Sequence, residues 1–316
     1  MDSRQIDIMG IINVTDDSYY PESRCLGNDG TPDIWKILSK AGSMLEEGAA
    51  ILDIGACSTR PGSLPVREEE EWRRLRPALE AIFRHFPDVT VSIDTYRASV
   101  IDNAASLLDS LYTARHRPSG TGQHQDMPSD GTSAAPGHCP RTESQKEYIR
   151  KRLIINDISA GRLDPGMLPL AGRLGLRYIA MHMKGSPANM QQMCDYGNVA
   201  EDVIDYFREF AVRAAEAGIT DWILDPGFGF AKTAEQNWQL MKELGRFSES
   251  GLFRISADST DTDETGCKRD MYPDAAHDKE YHPRILVGIS RKSMIYRMFG
   301  ITPQESLPQT QVLHLA

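Results

Sequence analysis

The stretch Val-Thr-Val-Ser-Ile-Asp-Thr (89–95) decides the fold, because it is an apolar run that stops on a carboxylate. The same arrangement recurs in Ile-Asn-Asp-Ile-Ser (155–159), and Asp-Pro-Gly-Phe-Gly-Phe-Ala-Lys (225–232) follows a third such run. In Gly-Ile-Ser-Arg-Lys-Ser (288–293) a cation takes the corresponding place. Each motif therefore predicts a buried strand with a polar side chain where the strand ends.

Predicted strands alternate with predicted helices along the chain. The apolar runs place strands at 6–14, 51–56, 89–94, 153–158, 177–182, 222–225 and 285–290. Amphipathic patterns place helices at 33–48 (capped by Asp33), 66–86, 98–111, 167–174, 199–217 and 235–244. This alternation implies a parallel sheet, and a barrel of parallel strands brings all their carboxyl ends to one catalytic face.

The fold class predicted is α/β, a (β/α)8 TIM barrel that forms a single domain over residues 1–316. Seven strands can be identified, and a closed barrel needs one more strand and its helix. The predicted pattern therefore lacks its eighth strand and helix. A fragment of a longer protein and a genuinely truncated protein both account for this gap.

Two stretches interrupt the alternation. Residues 113–148 contain no Val, Ile, Leu, Phe or Trp, and residues 256–283 carry eight Asp or Glu against three Lys or Arg. Such segments cannot bury enough apolar surface to offset their ordering entropy, so we predict two disordered surface insertions. A metal site built from His116, His124, His138 and Cys139 is the alternative, but their spacing fits no known ligand pattern.

Composition narrows the class of protein. The chain is 40% hydrophobic, which suffices for one sizeable core, and its net charge of -10 argues against nucleic acid as a partner. The five cysteines include no CxxC pair and are interpreted as free thiols. No secretory signal and no apolar run of roughly 18 residues is visible, so we expect a cytoplasmic protein without membrane spans.

Seven motifs in chain order make this sequence similar to dihydropteroate synthase, a pterin-binding barrel family of folate biosynthesis. They are Met-Gly-Ile-Ile-Asn-Val-Thr (9–15), Asp-Ile-Gly-Ala-Cys-Ser-Thr-Arg-Pro-Gly (53–62), Ser-Ile-Asp-Thr (92–95), Asn-Asp-Ile-Ser (156–159), Met-His-Met-Lys-Gly-Ser-Pro (181–187), Asp-Pro-Gly-Phe-Gly-Phe (225–230) and Ser-Arg-Lys-Ser (290–293). The resemblance implies a transferase that condenses 6-hydroxymethyl-7,8-dihydropterin pyrophosphate with 4-aminobenzoate, giving 7,8-dihydropteroate and pyrophosphate. It further implies Mg2+ as cofactor, sulfonamides as inhibitors and a homodimer for the complete protein.

The resemblance also assigns the site. The edge of a pterin offers adjacent hydrogen-bond donors and acceptors, which suit buried carboxylates and an amide. Asp94, Asn156 and Asp225 take this role, and Asp94, Asp225 and Lys292 are the implied catalytic residues. The other implied contacts are Thr59 and Arg60 to phosphate, Pro61 and Phe230 beside aminobenzoate, Met181 on the ring face, Lys292 to both substrates, Ser293 to the carboxylate and Asn13 to magnesium-bound pyrophosphate.

Ordinary structural roles compete with these assignments. Asp94 and Asp225 can cap helices or brace loops, Met181 can be a core residue, and His182 suits a structural role better than a catalytic one. Residues 58–62 can form a plain turn, and Lys292 can be a solvated lysine. The mechanism expected is positioning and charge stabilisation with no covalent enzyme intermediate.

Two departures from the family pattern leave rival functions open. The first loop reads Asp-Ser-Tyr-Tyr-Pro-Glu-Ser (17–23) instead of a Ser-Phe-Ser-Asp-Gly-like run, and the family's terminal Arg-Val-His-like run is missing. A pterin-dependent methyltransferase with a corrinoid partner would share the Asp94 and Asn156 site. A catalytically inactive fragment that only binds substrate is the rival from a different class.

Overall fold

A computed structural model describes residues 6–15, 25–27, 30–57, 66–116, 141–185, 189–249, 253–255, 279–281 and 283–288. The strands in these ranges are β1 (Ile8–Asn13), β2 (Ala49–Gly55), β3 (Thr90–Asp94), β4 (Leu153–Asp157), β5 (Arg177–Met181), β6 (Trp222–Asp225), β7 (Phe253–Ile255), β8 (Lys279–Tyr281) and β9 (Arg284–Ile285). The α-helices are α1 (Ile34–Glu46), α2 (Glu68–His85), α3 (Ala98–Arg115), α4 (Glu143–Arg152), α5 (Met167–Leu174), α6 (Val199–Glu216) and α7 (Ala234–Lys242). Single turns of 3-10 helix lie at Met190–Gln192 and Leu244–Ser248.

Seven of these strands form one sheet in the order β1-β2-β3-β4-β5-β6-β9. All neighbouring strands in it are parallel, and helices separate them in the chain. This confirms the predicted α/β barrel architecture and the existence of all seven predicted strands. The last strand, β9, is shorter than the predicted 285–290, of which 289–290 lie outside the described residues.

The helices cover the outer face of the sheet and form the main hydrophobic core with it. Ile54 and Ile93 point outward from their strands and share one buried cluster with Leu79 of α2 and Phe207 of α6. Helix α1 begins where the sequence predicts, because the Asp33 carboxylate accepts a hydrogen bond from the Lys36 N–H over 3.0 Å. Among the described helices, none combines the length and apolar character that crossing a bilayer requires.

The inner face of the sheet carries a second, smaller apolar layer. It consists of the buried residues Ile154, Ile179 and Ile223, against which Met9, Ile51 and Leu286 pack. Side chains alternate along a strand, so residues two positions further on face the same way. Asp53, Asn156 and Asp225 each follow a member of this layer by two residues, and they therefore stand above it toward the carboxyl ends.

The expectation that residues 113–148 and 256–283 are wholly disordered insertions is wrong at three of their ends. Helix α3 continues to Arg115, and Thr142 opens α4 with a capping box to Gln145. Strand β8 lies inside the second segment and pairs antiparallel with β7. Helix α4 escapes a search for apolar periodicity because its one buried residue, Ile149, follows the polar segment. The three residues of β8 are too few to show alternation.

Candidate active site

The carboxyl ends of the first four sheet strands are in register, so their terminal side chains are neighbours. Asn13 pairs with Gly55, Gly55 with Asp94, and Asp94 with Asn156 across adjacent strands. Asp225 ends β6 on the same face. The structure thus brings the predicted polar residues of β1, β3, β4 and β6 to one edge, while their contacts with substrate stay predictions.

Asp94 is a carboxylate that receives no hydrogen bond from the described residues. Part of its surface stays open at the strand end, yet it lies deep enough that desolvation raises the pKa of Asp94 well above its ordinary value. The negative charges of Asp53, Glu71 and Asp157 raise this pKa further. A carboxylate in such surroundings is stabilised by donors that a ligand can supply.

Asn156 is held by Asp53, a residue whose role the sequence leaves open. The amide Nδ2 of Asn156 donates to Asp53 Oδ1 over 3.1 Å, and Asp53 is only 4% exposed. Burial raises the pKa of Asp53 to about 6, with the Asn156 hydrogen bond opposing the shift and the Asp225 charge adding to it. An ionised carboxylate only accepts, so Asp53 fixes which way round the Asn156 amide lies.

Asp225 braces the loop that follows β6. Its Oδ1 accepts from the Gly227 N–H over 2.8 Å, which agrees with the loop-bracing alternative for this residue. A Cβ placed at Gly288 would lie 3.9 Å from Asp225 Oδ2. The first residue of the 288–293 motif therefore passes beside this carboxylate.

An apolar wall adjoins the polar edge. Met181 and Ile158, which stand at the ends of β5 and β4, form a buried cluster with Met183, Met190 and Ala231. Tyr96 and Phe230 pack against this cluster and are partly buried. Met181 and Phe230, two of the three predicted ring contacts, thus belong to one apolar cluster. Met181 is only 6% exposed, which agrees with the core alternative for this residue, whereas Phe230 keeps part of its surface open.

Asp157 has a structural role, although it shares the motif with Asn156. It accepts hydrogen bonds from the Ser159 N–H at 2.8 Å, the Ser159 hydroxyl at 2.7 Å and the Gly161 N–H at 2.7 Å. The Tyr178 hydroxyl donates to Asp157 Oδ2, the oxygen that also accepts from the Gly161 N–H. Alternation along β4 turns Asp157 away from the inner face, so only Asn156 reaches the site.

Sequence reasoning missed one buried pair at this edge. Lys232 is 5% exposed, and its Nζ lies 2.9 Å from Nδ1 of the buried His182. Lys232 closes the glycine-rich motif, but a lysine after a Gly-Phe turn normally suggests a solvated side chain. Burial of both residues is a property of how the β5 and β6 loops meet, which no local pattern encodes.

Five predicted contacts cannot be placed, since Thr59, Arg60, Pro61, Lys292 and Ser293 lie outside the described residues. Asn13 is described, and its amide oxygen is a hard donor that suits Mg2+. Within the described ranges, no three His, Cys, Asp or Glu side chains come together as a metal cage. A magnesium ion held at this amide would take its other oxygen ligands from water and a phosphate group.

A curled parallel sheet with polar groups along its carboxyl edge defines an enzyme of the (β/α)8 barrel class. The family described as pterin binding enzyme matches residues 9–111 and 149–316. The chain belongs to this family. The match omits 112–148, which nearly coincides with the first predicted insertion, and continues through 256–283 without a break.

Relatives with assigned activities resemble the chain over most of its length. It is 31% identical to dihydropteroate synthase of Escherichia coli strain K12 over 303 residues, which is 95% of this chain and 78% of that protein. The Haemophilus influenzae dihydropteroate synthase is also 31% identical, over 91% of this chain and 76% of its own.

Solved structures agree with this assignment. The Yersinia pestis dihydropteroate synthase in complex with a sulfonamide drug superposes with a TM-score of 0.65 at 30% identity, covering 95% of this chain and 80% of that one. The Thermus thermophilus enzyme in complex with 4-aminobenzoate gives a TM-score of 0.62 at 29% identity, covering 99% and 84%.

Proposed function

We propose that the chain is a dihydropteroate synthase, which joins 6-hydroxymethyl-7,8-dihydropterin pyrophosphate to 4-aminobenzoate. The observation that carries the assignment to this site is the Asp94 carboxylate, which lacks a donor among the described residues and lies beside an oriented Asn156. The 2-amino group and adjacent ring N–H of a pterin supply two parallel donors, which match an acceptor-only carboxylate.

The reaction breaks the bond between the pterin methylene carbon and the pyrophosphate oxygen, and it forms a bond from that carbon to the aromatic amine nitrogen. The amine then loses a proton to solvent or to pyrophosphate. Asp94 and Asp225 hold the pterin and stabilise positive charge that develops on it as the leaving group departs. Met181 and Phe230 provide apolar walls for the rings and keep water from competing with the amine.

The leaving group needs cationic partners. Magnesium, when bound, neutralises charge on the pyrophosphate, and Asn13 is the residue that would hold it. The family resemblance assigns contacts with the phosphates to Thr59 and Arg60, and contacts with aminobenzoate to Pro61 and, through its carboxylate, to Ser293. It assigns contacts with both substrates to Lys292. Cytoplasmic location and assembly into a homodimer complete the proposal.

The direct test is formation of dihydropteroate from the two substrates with and without magnesium. We expect turnover that requires the metal and is inhibited competitively by a sulfonamide against 4-aminobenzoate. The Asp94→Asn variant is the matched control, because it keeps the shape of the side chain. Transfer of a methyl group by the wild-type protein, or equal turnover by the wild type and Asp94→Asn, would refute the proposal.

A further inference from the structure

The ammonium of Lys232 sits inside the protein, where three acceptors surround it. Besides His182 Nδ1 at 2.9 Å, its Nζ contacts the carbonyl oxygens of Gly227 and Phe230, both at 3.1 Å. An ammonium has three N–H donors and no acceptor, so one N–H is available for each of these three contacts. The buried charge is thereby paired with partners from two different loops.

Two of those acceptors are the ends of one tight turn. The Phe230 N–H donates to the Gly227 carbonyl over 3.1 Å, and Lys232 binds the carbonyls of both residues. Gly227 has a φ of 68°, and a Cβ there would lie 2.1 Å from the His182 carbonyl oxygen. The turn therefore packs directly on the β5 loop, and only glycine permits that approach.

The same turn carries two residues of the proposed substrate site. Its Gly227 N–H fixes one oxygen of Asp225, and its last residue, Phe230, packs on the apolar wall. A shift of the turn would move the carboxylate that faces the pterin and the ring that faces aminobenzoate together. Lys232 is the side chain that joins both ends of the turn to the neighbouring loop.

His182 is the partner that makes this arrangement possible. Its Nδ1 can accept from an ammonium only when the ring is neutral with its proton on Nε2. Burial, and then the charge of Lys232, lowers the pKa of His182 well below its ordinary value. The ring also packs edge-on against Tyr206 at 4.8 Å between centroids, which restricts its orientation.

We propose that Lys232 is a positioning residue that works through the His182 acceptor to hold the 227–230 turn, and thereby sets Asp225 and Phe230 for the two substrates. This rests on the proposed function, since it assigns the turn to the substrate site. Lys232 itself does not touch substrate.

The test uses matched variants of the full chain. Lys232→Met removes the charge at similar length, His182→Leu removes the acceptor, and His182→Asn keeps an acceptor at the position of Nδ1. We expect kcat/KM to fall by about 100-fold in Lys232→Met and in His182→Leu, the size that a misplaced group of this kind can cost. His182→Asn should stay much closer to wild type, and the double variant that combines Lys232→Met with His182→Leu should be no worse than either single variant.

Two readouts separate positioning from simple loss of stability. Leu108 is buried on the core-facing side of α3 and lies outside the site. Leu108→Ala should therefore lower the melting temperature, while its KM for both substrates should equal that of wild type. The Lys232→Met variant should raise both KM values at a temperature where it is fully folded. Wild-type KM and kcat in Lys232→Met, or a His182→Asn variant as impaired as His182→Leu, would overturn the proposal.

Amide hydrogen exchange gives a readout that does not depend on the reaction. The amides of Gly227 and Phe230 should exchange much faster in Lys232→Met than in wild type, and Leu108→Ala should leave their relative protection unchanged. If the wild type forms no dihydropteroate, the proposed function fails on that result alone. Unchanged exchange at these two amides would refute the role of Lys232 whatever the activity.

Discussion

Asn156 donates its amide hydrogen to Asp53 over 3.1 Å, which links two residues that are 103 positions apart in the chain. The contact crosses β3, because β2 and β4 are its two neighbours in the sheet. It leaves the side-chain amide oxygen and the second Nδ2–H of Asn156 for the open edge. The donor and acceptor pattern that Asn156 presents at this edge is therefore determined by Asp53, a buried side chain.

Replacing Asp53 by Asn tests that orienting role. The new amide can donate as well as accept, so either orientation of Asn156 becomes satisfied. We expect pterin affinity to fall by about 1–2 kcal/mol, the net worth of a correctly placed hydrogen bond. Titration calorimetry measures this, with the exposed Asp205→Asn as a charge-matched control, and equal affinity in all three proteins would contradict the role.

The raised pKa of Asp53, about 6 against an ordinary 3.8, also predicts a pH dependence of stability. The folded state binds the Asp53 proton more tightly than the unfolded chain does. The resulting stabilisation is therefore fully present below the unfolded pKa of 3.8 and is lost as pH rises through the folded pKa of about 6. At 1.36 kcal/mol per unit, the full loss is about 3 kcal/mol.

Wild type should therefore lose stability relative to Asp53→Asn between about pH 4 and about pH 7. Removing the Asp53 charge also relieves Asp94, whose pKa it raises, and this acts in the same direction. Chemical denaturation of both proteins across this range measures the difference. A difference that does not change with pH would show that Asp53 is not desolvated as described.

Position 55 is occupied by glycine because a side chain there would press on Asp94. A Cβ at this position would lie 3.2 Å from both the Cβ and the Oδ2 of Asp94, so the carboxylate would have to shift. We expect Gly55→Ala to weaken pterin binding by about 1–3 kcal/mol, the usual range for overpacking. Gly245→Ala is the control, since nothing lies within 4 Å of its added Cβ. Equal pterin affinity in the two variants would disprove this account.

The polar segment 113–148 should tolerate deletion of the residues that lie between helices α3 and α4, but not of residues that belong to either helix. Gln145 Nε2 lies 3.5 Å from Thr113 Oγ1, so the end of α3 and the start of α4 are already close. Replacing 117–140 by a short Gly-Ser linker should leave the melting temperature nearly unchanged. A deletion of 114–146 also removes the α4 capping box and should lower it. Differential scanning calorimetry compares the two, and equal melting temperatures would contradict the packed role of α4.

The sequence predicts the sheet well because its strands read as apolar runs, even though Ile8 and Ile11 of β1 are 54% and 51% exposed. It also predicts which polar residues gather at one edge, since parallel strands share their direction. The helix start at Asp33 follows from local chemistry and is confirmed by its hydrogen bond. Helix α4 could not be predicted this way, because a single buried residue produces no periodicity.

Local sequence patterns do not predict which side chains of the site contact each other. Asp53 and Asn156 meet across an intervening strand, and Lys232 and His182 meet across two loops. Nothing in the spacing of either pair predicts these distances. The residues predicted to touch a ligand belong to recognisable motifs, whereas the buried residues that hold them, such as Asp53, are revealed only by packing.

We propose that Asp94 recognises the donor edge of a pterin, and Asp94→Asn should therefore weaken pterin binding by roughly 2–4 kcal/mol. The most direct measurement is calorimetry of two ligands on both proteins: 6-hydroxymethylpterin and its analogue without the 2-amino group. On the wild type, we expect the analogue to bind at least about 100-fold more weakly, because it leaves a desolvated carboxylate without a donor. On Asp94→Asn this difference should largely disappear. An equally large preference for the amino compound in both proteins would contradict the account.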